Sequence, residues 1–122
     1  AAVELIRRYG VRAPGPETEA RKLSGGNLQK VVLGREFSGE PTVLVAASPT
    51  RGLDVSAIET VHSYLLEAAE RGVAVLLISE DLDEILTLND RIVVMYEGRL
   101  TPVPEGASVE EIGLLMAGEA AA

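Results

Sequence analysis

Two short stretches of this chain, residues 42–47 and 73–78, are apolar at almost every position, and each is closed by turn-forming residues. Runs of that length read as strands apolar on both faces, as in a parallel sheet covered above and below. Between them the spacing changes. Ile58, Val61, Leu65 and Ala68 recur on one side of a helix expected over about residues 56–70, and Gly72 ends it. Strand, helix and strand joined by short links predict a right-handed parallel crossover.

The flanks follow the same grammar. Residues 1–9 read as a helix with Val3, Leu5 and Ile6 apolar and Gly10 as its stop, and residues 12–19, with Pro14, Gly15 and Pro16, as a loop. A second helix begins after Ser24 and ends near residues 38–41; Leu28, Val31, Val32 and Arg35 fall at helical spacing along it. Pro41 then opens the first strand, a position that tolerates a missing N–H. Downstream, the pattern predicts a short helix over 82–88, a strand over 91–96, a turn at Glu97-Gly98 and an edge strand over 100–103. Ser108 caps a last helix whose apolar side holds Val109, Ile112 and Leu115 or Met116, and residues 119–122 read as a frayed tail. No internal repeat is present.

Composition narrows the classes. A chain of 122 residues that is 47% hydrophobic is globular and long enough for one small core. No apolar run approaches the roughly 18–20 residues that a membrane-spanning helix needs. There is no initiating Met and the first residues already read as helix, which points to a chain cut from something longer. The absence of cysteine excludes disulfides and thiolate metal sites and fits a reducing compartment. A formal net charge of −8 weighs against a nucleic-acid surface, because neutralising phosphates takes clustered Lys and Arg. The basic clusters are Arg7-Arg8 and Arg21-Lys22, and the second sits just ahead of the stretch that carries the chemistry.

That stretch is Leu23-Ser24-Gly25-Gly26-Asn27-Leu28-Gln29-Lys30. Ser24 is a good N-cap, whereas two glycines are a costly way to begin a helix, at roughly 0.5–1 kcal/mol each against Ala. What they offer is bare backbone whose N–H groups can approach an anion at the positive end of the helix dipole. An ordinary Ser-capped helix with a flexible entry fits the same residues.

Two further motifs bear on the choice. The first strand runs into Ala47-Ser48-Pro49-Thr50-Arg51-Gly52-Leu53-Asp54, and the second into Ser79-Glu80-Asp81. In this order and spacing, the three motifs resemble the ATP-binding cassette of transporters over about residues 23–97. Asn27-x-Gln29-Lys30, the Pro49–Asp54 turn and Ile112-Gly113-Leu114-Leu115-Met116-Ala117-Gly118 look most like the second cassette of fused importers of simple sugars or nucleosides.

The resemblance implies a partial P-loop NTPase fold of the α/β class, a mostly parallel sheet flanked by helices. It lacks the phosphate-loop portion, since no Gly-x-x-x-x-Gly-Lys-Ser/Thr occurs anywhere in the chain. Residues 1–122 are then a C-terminal fragment of one nucleotide-binding domain. It comprises a signature-helix region (1–40), the Walker B, D-loop and switch region (41–104), and a terminal helix and tail (105–122). By resemblance, Ser24, Gly25 and Gly26, with Asn27 and Gln29 adjacent, face the terminal phosphate of a nucleotide held by the opposite cassette, and Asp54 lines the interface between cassettes; an Asp capping the following helix fits that position equally. The chain departs from the family pattern at the usual magnesium-shell aspartate, which is Ala47, at the usual catalytic glutamate, which is Ser48, and at the usual switch histidine, which is Glu80. Alanine offers no ligand, a serine hydroxyl is a weak base at neutral pH, and a carboxylate repels phosphate unless paired or protonated. No catalytic residue is therefore expected in this chain. His62 has no Cys or second His partner in the sequence pattern, so no metal site is expected either.

The implied whole is the ATP-binding subunit of an importer. ATP and Mg2+ are bound in the full dimeric or fused assembly and none by this chain alone. Its partners are a second cassette and membrane permease subunits, with no nucleic acid, and it sits at the cytoplasmic face of the membrane. Apolar faces left uncovered favour self-association of the fragment. Two rivals are a DNA-repair, chromosome or ribosome-associated ATPase, which should carry basic surface and an intact acidic pair, and a non-enzymatic interaction domain. Co-purification with membrane subunits, as against nucleic acid, separates the importer from the ATPase rivals. The isolated chain, lacking an amide cradle and lysine for phosphate, should show no binding in a magnesium-ATP calorimetric titration. A dissociation constant in the micromolar range or better would contradict the assignment.

Overall fold

The strand–helix–strand core forms because Asp54 starts its helix firmly. Its carboxylate Oδ1 accepts from the Ala57 amide at 2.8 Å, satisfying one of the N–H groups that a helix start leaves without an intrahelical partner. A computed structural model describes residues 1–88 and 90–119, so the tail expected at 120–122 lies outside the described residues. It divides into two units, Ala1–Glu80 and a second from Asp81 onward. No described helix is long and apolar enough to cross a membrane.

The first unit contains α1 (Ala2–Arg8), a 3-10 turn (Ala20–Lys22), α2 (Gly25–Ser38), β1 (Val43–Ala47), α3 (Val55–Glu70) and β2 (Ala74–Ile78). β1 and β2 pair in parallel, Val43 opposite Ala74 through to Ala47 opposite Ile78, as the crossover requires. α3 packs on β2 and α2 on α3. The core comprises Tyr9, Val11, Leu33, Leu44, Val61, Leu65 and Ala68. Gly72, at a φ of 91°, ends the crossover helix in the left-handed conformation that glycine adopts at little cost.

Two expectations about burial change. The sheet is not covered on both faces: Leu44 is buried, but Val43, Val45, Leu76 and Ile78 are 61%, 59%, 55% and 52% exposed. Alternation along a strand puts these four on one face, and nothing in the unit lies over it. On α2, Leu28, Val31 and Val32 are exposed, and Leu33 and Gly34 are the buried residues instead. The reason is the Tyr9 ring. It lies so close over α2 that a Cβ on Gly34 would stand 3.0 Å from it, which turns that side of the helix inward. Tyr9 also packs on Tyr64, with ring centroids 5.2 Å apart, and burial with the neighbouring Tyr9 and Glu67 raises the Tyr64 phenol above its ordinary 10.0.

The second unit contains α4 (Leu82–Leu88), β3 (Val93–Tyr96), β4 (Arg99–Pro102) and α5 (Val109–Met116). β3 and β4 form an antiparallel hairpin around Glu97 and Gly98, both at positive φ, as a two-residue turn matched to strand twist requires. Among the described residues, the sheet content is thus one parallel pair and one antiparallel pair. Val94, Ile112 and Leu115 form the core, with Leu82, Leu86, Ile92, Val103 and Ala107 around it. A capping box starts α5: Ser108 Oγ accepts from the Glu111 amide at 3.1 Å and Glu111 accepts from the Ser108 amide at 3.2 Å. Ile112 and Leu115 occupy the inner side as expected, while Val109 and Met116 are exposed.

The two faces of the sheet predict different mutational costs. Leu65→Ala, at a site 4% exposed, should lower the unfolding free energy by about 3 kcal/mol in a urea titration. Leu76→Ala should lower it by less than about 0.5 kcal/mol. Equal losses would show that the outer face of the sheet is buried in solution.

Candidate functional site

The start of α2 is built by Ser24. Its backbone is extended, with φ −62° and ψ 160°, and its carbonyl accepts the first helical bond from Leu28 at 2.8 Å. Its Oγ accepts twice from Asn27, from the backbone N–H at 3.3 Å and from Nδ2 at 3.0 Å. Asn27 Oδ1 in turn accepts from the Arg12 amide at 2.8 Å, so the upstream loop is tied to the helix start. Lys30 Nζ adds a bond to the Gly10 carbonyl at 3.3 Å. In a helix the first N–H groups have no intrahelical acceptor, so those of Gly25 and Gly26 suit an anion.

The glycines have a second role. A Cβ on Gly25 would meet Leu53 Cδ2 at 3.5 Å, and one on Gly26 would stand 3.0 Å from Ala57 Cβ. The first turn of α2 therefore rests on the start of α3, and Gly26 is the residue that allows this approach.

After β1 the chain turns sharply. The Ser48 amide donates to the Ile78 carbonyl at 2.8 Å, and Ser48 has a φ of 46°, a left-handed conformation that costs a residue with a Cβ about 1–2 kcal/mol. The Arg51 amide bonds to the Ser48 carbonyl at 3.3 Å and the Leu53 amide to the Thr50 carbonyl at 3.2 Å, with Pro49 and Thr50 buried beneath. Ala47 and Ser48 stand where β1 ends. A methyl group has no oxygen for magnesium, and a serine hydroxyl is a weak base at neutral pH. Asp54 caps α3. Glu80, at the end of β2, is 4.0 Å from Arg51, a partner that offsets its charge, although both side chains are largely solvated and the pair is weak. Among the described residues, no group of three or more His, Cys, Asp or Glu side chains is arranged to hold a metal ion.

The structure thus brings the residues singled out in the sequence into two neighbouring clusters within the first unit. Gly25, Gly26 and Gln29 sit against the 49–57 segment, to which the Gln29 side chain reaches across at the Pro49 carbonyl, and Ser24 and Asn27 form the cap beside them. Ala47, Ser48 and Glu80 sit at the ends of the paired strands. Sequence reasoning missed Arg12, whose backbone holds Asn27 from fifteen residues away, and Arg51 and Leu53, which reach Glu80 and Gly25. Arg12 carries no pattern that could have marked it. Leu53 stood inside a recognised motif as an apolar residue in a polar turn.

Known proteins resemble this chain in sequence and fold. It is 53% identical over 119 residues to the guanosine import ATP-binding protein NupO of Bacillus subtilis, covering 96% of this chain and 23% of that protein. It is 49% identical over 121 residues to the glucose import ATP-binding protein TsgD13 of Haloferax volcanii, covering 96% of this chain and 22% of the relative. The chain spans less than a quarter of the length of these curated relatives. Among solved structures, the ADP conformation of MJ1267, an ATP-binding cassette of an ABC transporter, superposes with a TM-score of 0.69 at 26% identity, over 95% of this chain and 44% of that one. No family model matches.

The contact between α2 and α3 yields a test. Gly26→Val should destabilise the chain by about 1–3 kcal/mol in chemical denaturation, because overpacking separates the helices. Ala57→Gly in the same chain should recover part of that loss. Additive losses in the double variant would mean that Gly26 and Ala57 do not touch.

Proposed function

Because this chain belongs to the ATP-binding-cassette family, we propose that it is the C-terminal part of the second cassette in a fused ATP-binding subunit, one that drives import of a simple sugar or a nucleoside. The names of the relatives support the solute class. In this reading the chain lends its signature turn to the nucleotide of the other cassette, and its own site turns ATP over poorly. The observation that carries it is the contrast within one unit. The Ser24-capped glycine start is intact, while the end of β1 offers Ala47 and Ser48.

The residues present fit one half of a phosphate site. The Ser24 hydroxyl and the amides of Gly25 and Gly26 would hold a terminal phosphate by hydrogen bonds and by the helix dipole, with Asn27 fixing the serine rotamer. They do so in trans, so bound ATP joins two cassettes. ATP supplies the reacting phosphoryl group and Mg2+ its charge neutralisation. Ala47 and Ser48 offer this chain's own site neither a carboxylate ligand for magnesium nor a carboxylate base at the end of β1, and Glu80 sets a negative charge where the family's histidine would face phosphate. Asp54 serves the cassette interface through the turn it fixes. Permease subunits complete the importer and place the subunit at the cytoplasmic face of the membrane. The uncovered sheet face is where the rest of the domain, or a second copy of the isolated chain, would pack.

The test uses the full-length subunit assembled with its permease. Ser24→Arg, which fills the helix start with a long side chain, should lower ATP hydrolysis roughly 100-fold or more. Ser48→Ala should leave the rate within about twofold. The reverse pattern would place hydrolysis at the end of β1 and end the trans-acting account.

A further inference from the structure

Gln29 lies one turn into α2, half-buried, and its Nε2 donates to the carbonyl of Pro49, 20 residues downstream on the turn after β1. Pro49 is itself buried, and it follows Ser48, the residue in the left-handed conformation. The turn is therefore gripped at its entry from two sides, from β2 through the Ser48 amide on the Ile78 carbonyl and from α2 through Gln29. Farther along the same segment, Leu53 and Ala57 press against Gly25 and Gly26. One polar and two apolar contacts thus fasten the first turn of α2 to both ends of the 49–57 segment.

We propose that Gln29 is a positioning residue, which holds the Ser24–Gly26 start of α2 in register with the turn after β1 and does not itself touch nucleotide. A carboxamide nitrogen engaged by a buried carbonyl is directed away from an incoming phosphate, and the carboxamide oxygen is an acceptor that phosphate would repel. What Gln29 supplies is a link: a shift of the turn at Ser48–Pro49 moves the amides that face the other cassette's phosphate. This role rests on the reading that those amides act in trans. It places the link on a side chain outside the Leu23–Gly26 turn and outside β1.

The experiment again uses the full-length subunit with its permease, and compares Gln29→Met, which keeps length and loses the donor, with Gln29→Glu, which keeps shape and loses the donor only when ionised. For Gln29→Met, kcat for ATP hydrolysis should fall about tenfold while KM for ATP stays within about twofold, since geometry is lost and no nucleotide contact is. Hydrogen exchange at the Arg51 and Leu53 amides should quicken with Tm unchanged. For Gln29→Glu, which is ionised at neutral pH, kcat should fall at least as far as for Gln29→Met, because a carboxylate cannot donate to the Pro49 carbonyl. A KM that rises in step with the loss of kcat would make Gln29 a nucleotide contact and overturn the proposal, as would unchanged kcat and exchange in both variants. Ser24→Arg, measured alongside, separates the two failures. If it retains activity, the trans reading falls, and the exchange at Arg51 and Leu53 still decides whether Gln29 holds the turn.

Discussion

Where α2 begins, two backbones come together over a residue without a side chain. Ala57 Cβ occupies the space beside Gly26, and Leu53 covers Gly25. Much of the first unit depends on that approach. It sets how α2 lies on α3, it brings Gln29 within reach of the Pro49 carbonyl, and it fixes the bare amides of Gly25 and Gly26 relative to the turn that follows β1. On the proposed function, the glycines answer two demands at once. Anion binding asks for exposed N–H groups at a helix start, and helix packing asks for a position with no Cβ. Reading them for phosphate alone, as the sequence invites, sees only the first demand.

Chemistry and packing divide along the same line. The residues that hold geometry are intact: Ser24 caps α2, Asp54 caps α3, and the Ser48 amide ties the two strands together. Where the resemblance implies hydrolytic groups, this chain has a methyl, a hydroxyl and a carboxylate 4.0 Å from Arg51. A site can lose its catalytic groups and keep its backbone because a strand end and its turn are held by main-chain bonds, which do not depend on the side chains at Ala47 and Ser48. Under this account, the frame persists because the other cassette's site leans on it.

Much of this was legible in the sequence, for identifiable reasons. Period and capping placed α3 and α5, since Val61, Leu65, Ile112 and Leu115 keep helical spacing behind Asp54 and Ser108. Gly72 and the Glu97-Gly98 pair marked real turns because each needs a positive φ. Burial was less legible. Leu28, Val31 and Val32 made a convincing stripe, but the inward side of α2 is chosen by the Tyr9 ring over Gly34, a contact between residues 25 positions apart that no local pattern encodes. The doubly apolar strands likewise read as covered on both sides; one side is bare because the four exposed residues, Val43, Val45, Leu76 and Ile78, have nothing in this unit to pack against. The candidate site was found by motif order, whereas the bonds from Arg12 and Gln29 that hold it rest on tertiary placement.

The claim on which the account turns is asymmetry between the two nucleotide sites of the full-length subunit. The most direct measurement is a rapid-quench single turnover, in which the subunit with its permease is loaded with magnesium and ATP, excess nucleotide is removed, and the bound ATP and ADP are counted over time. The account predicts two phases, with half of the bound ATP converted at the catalytic rate and the other half remaining as ATP far longer. Conversion of all the bound ATP in a single phase would show that the site built on Ala47 and Ser48 hydrolyses as well as its partner, and would contradict it.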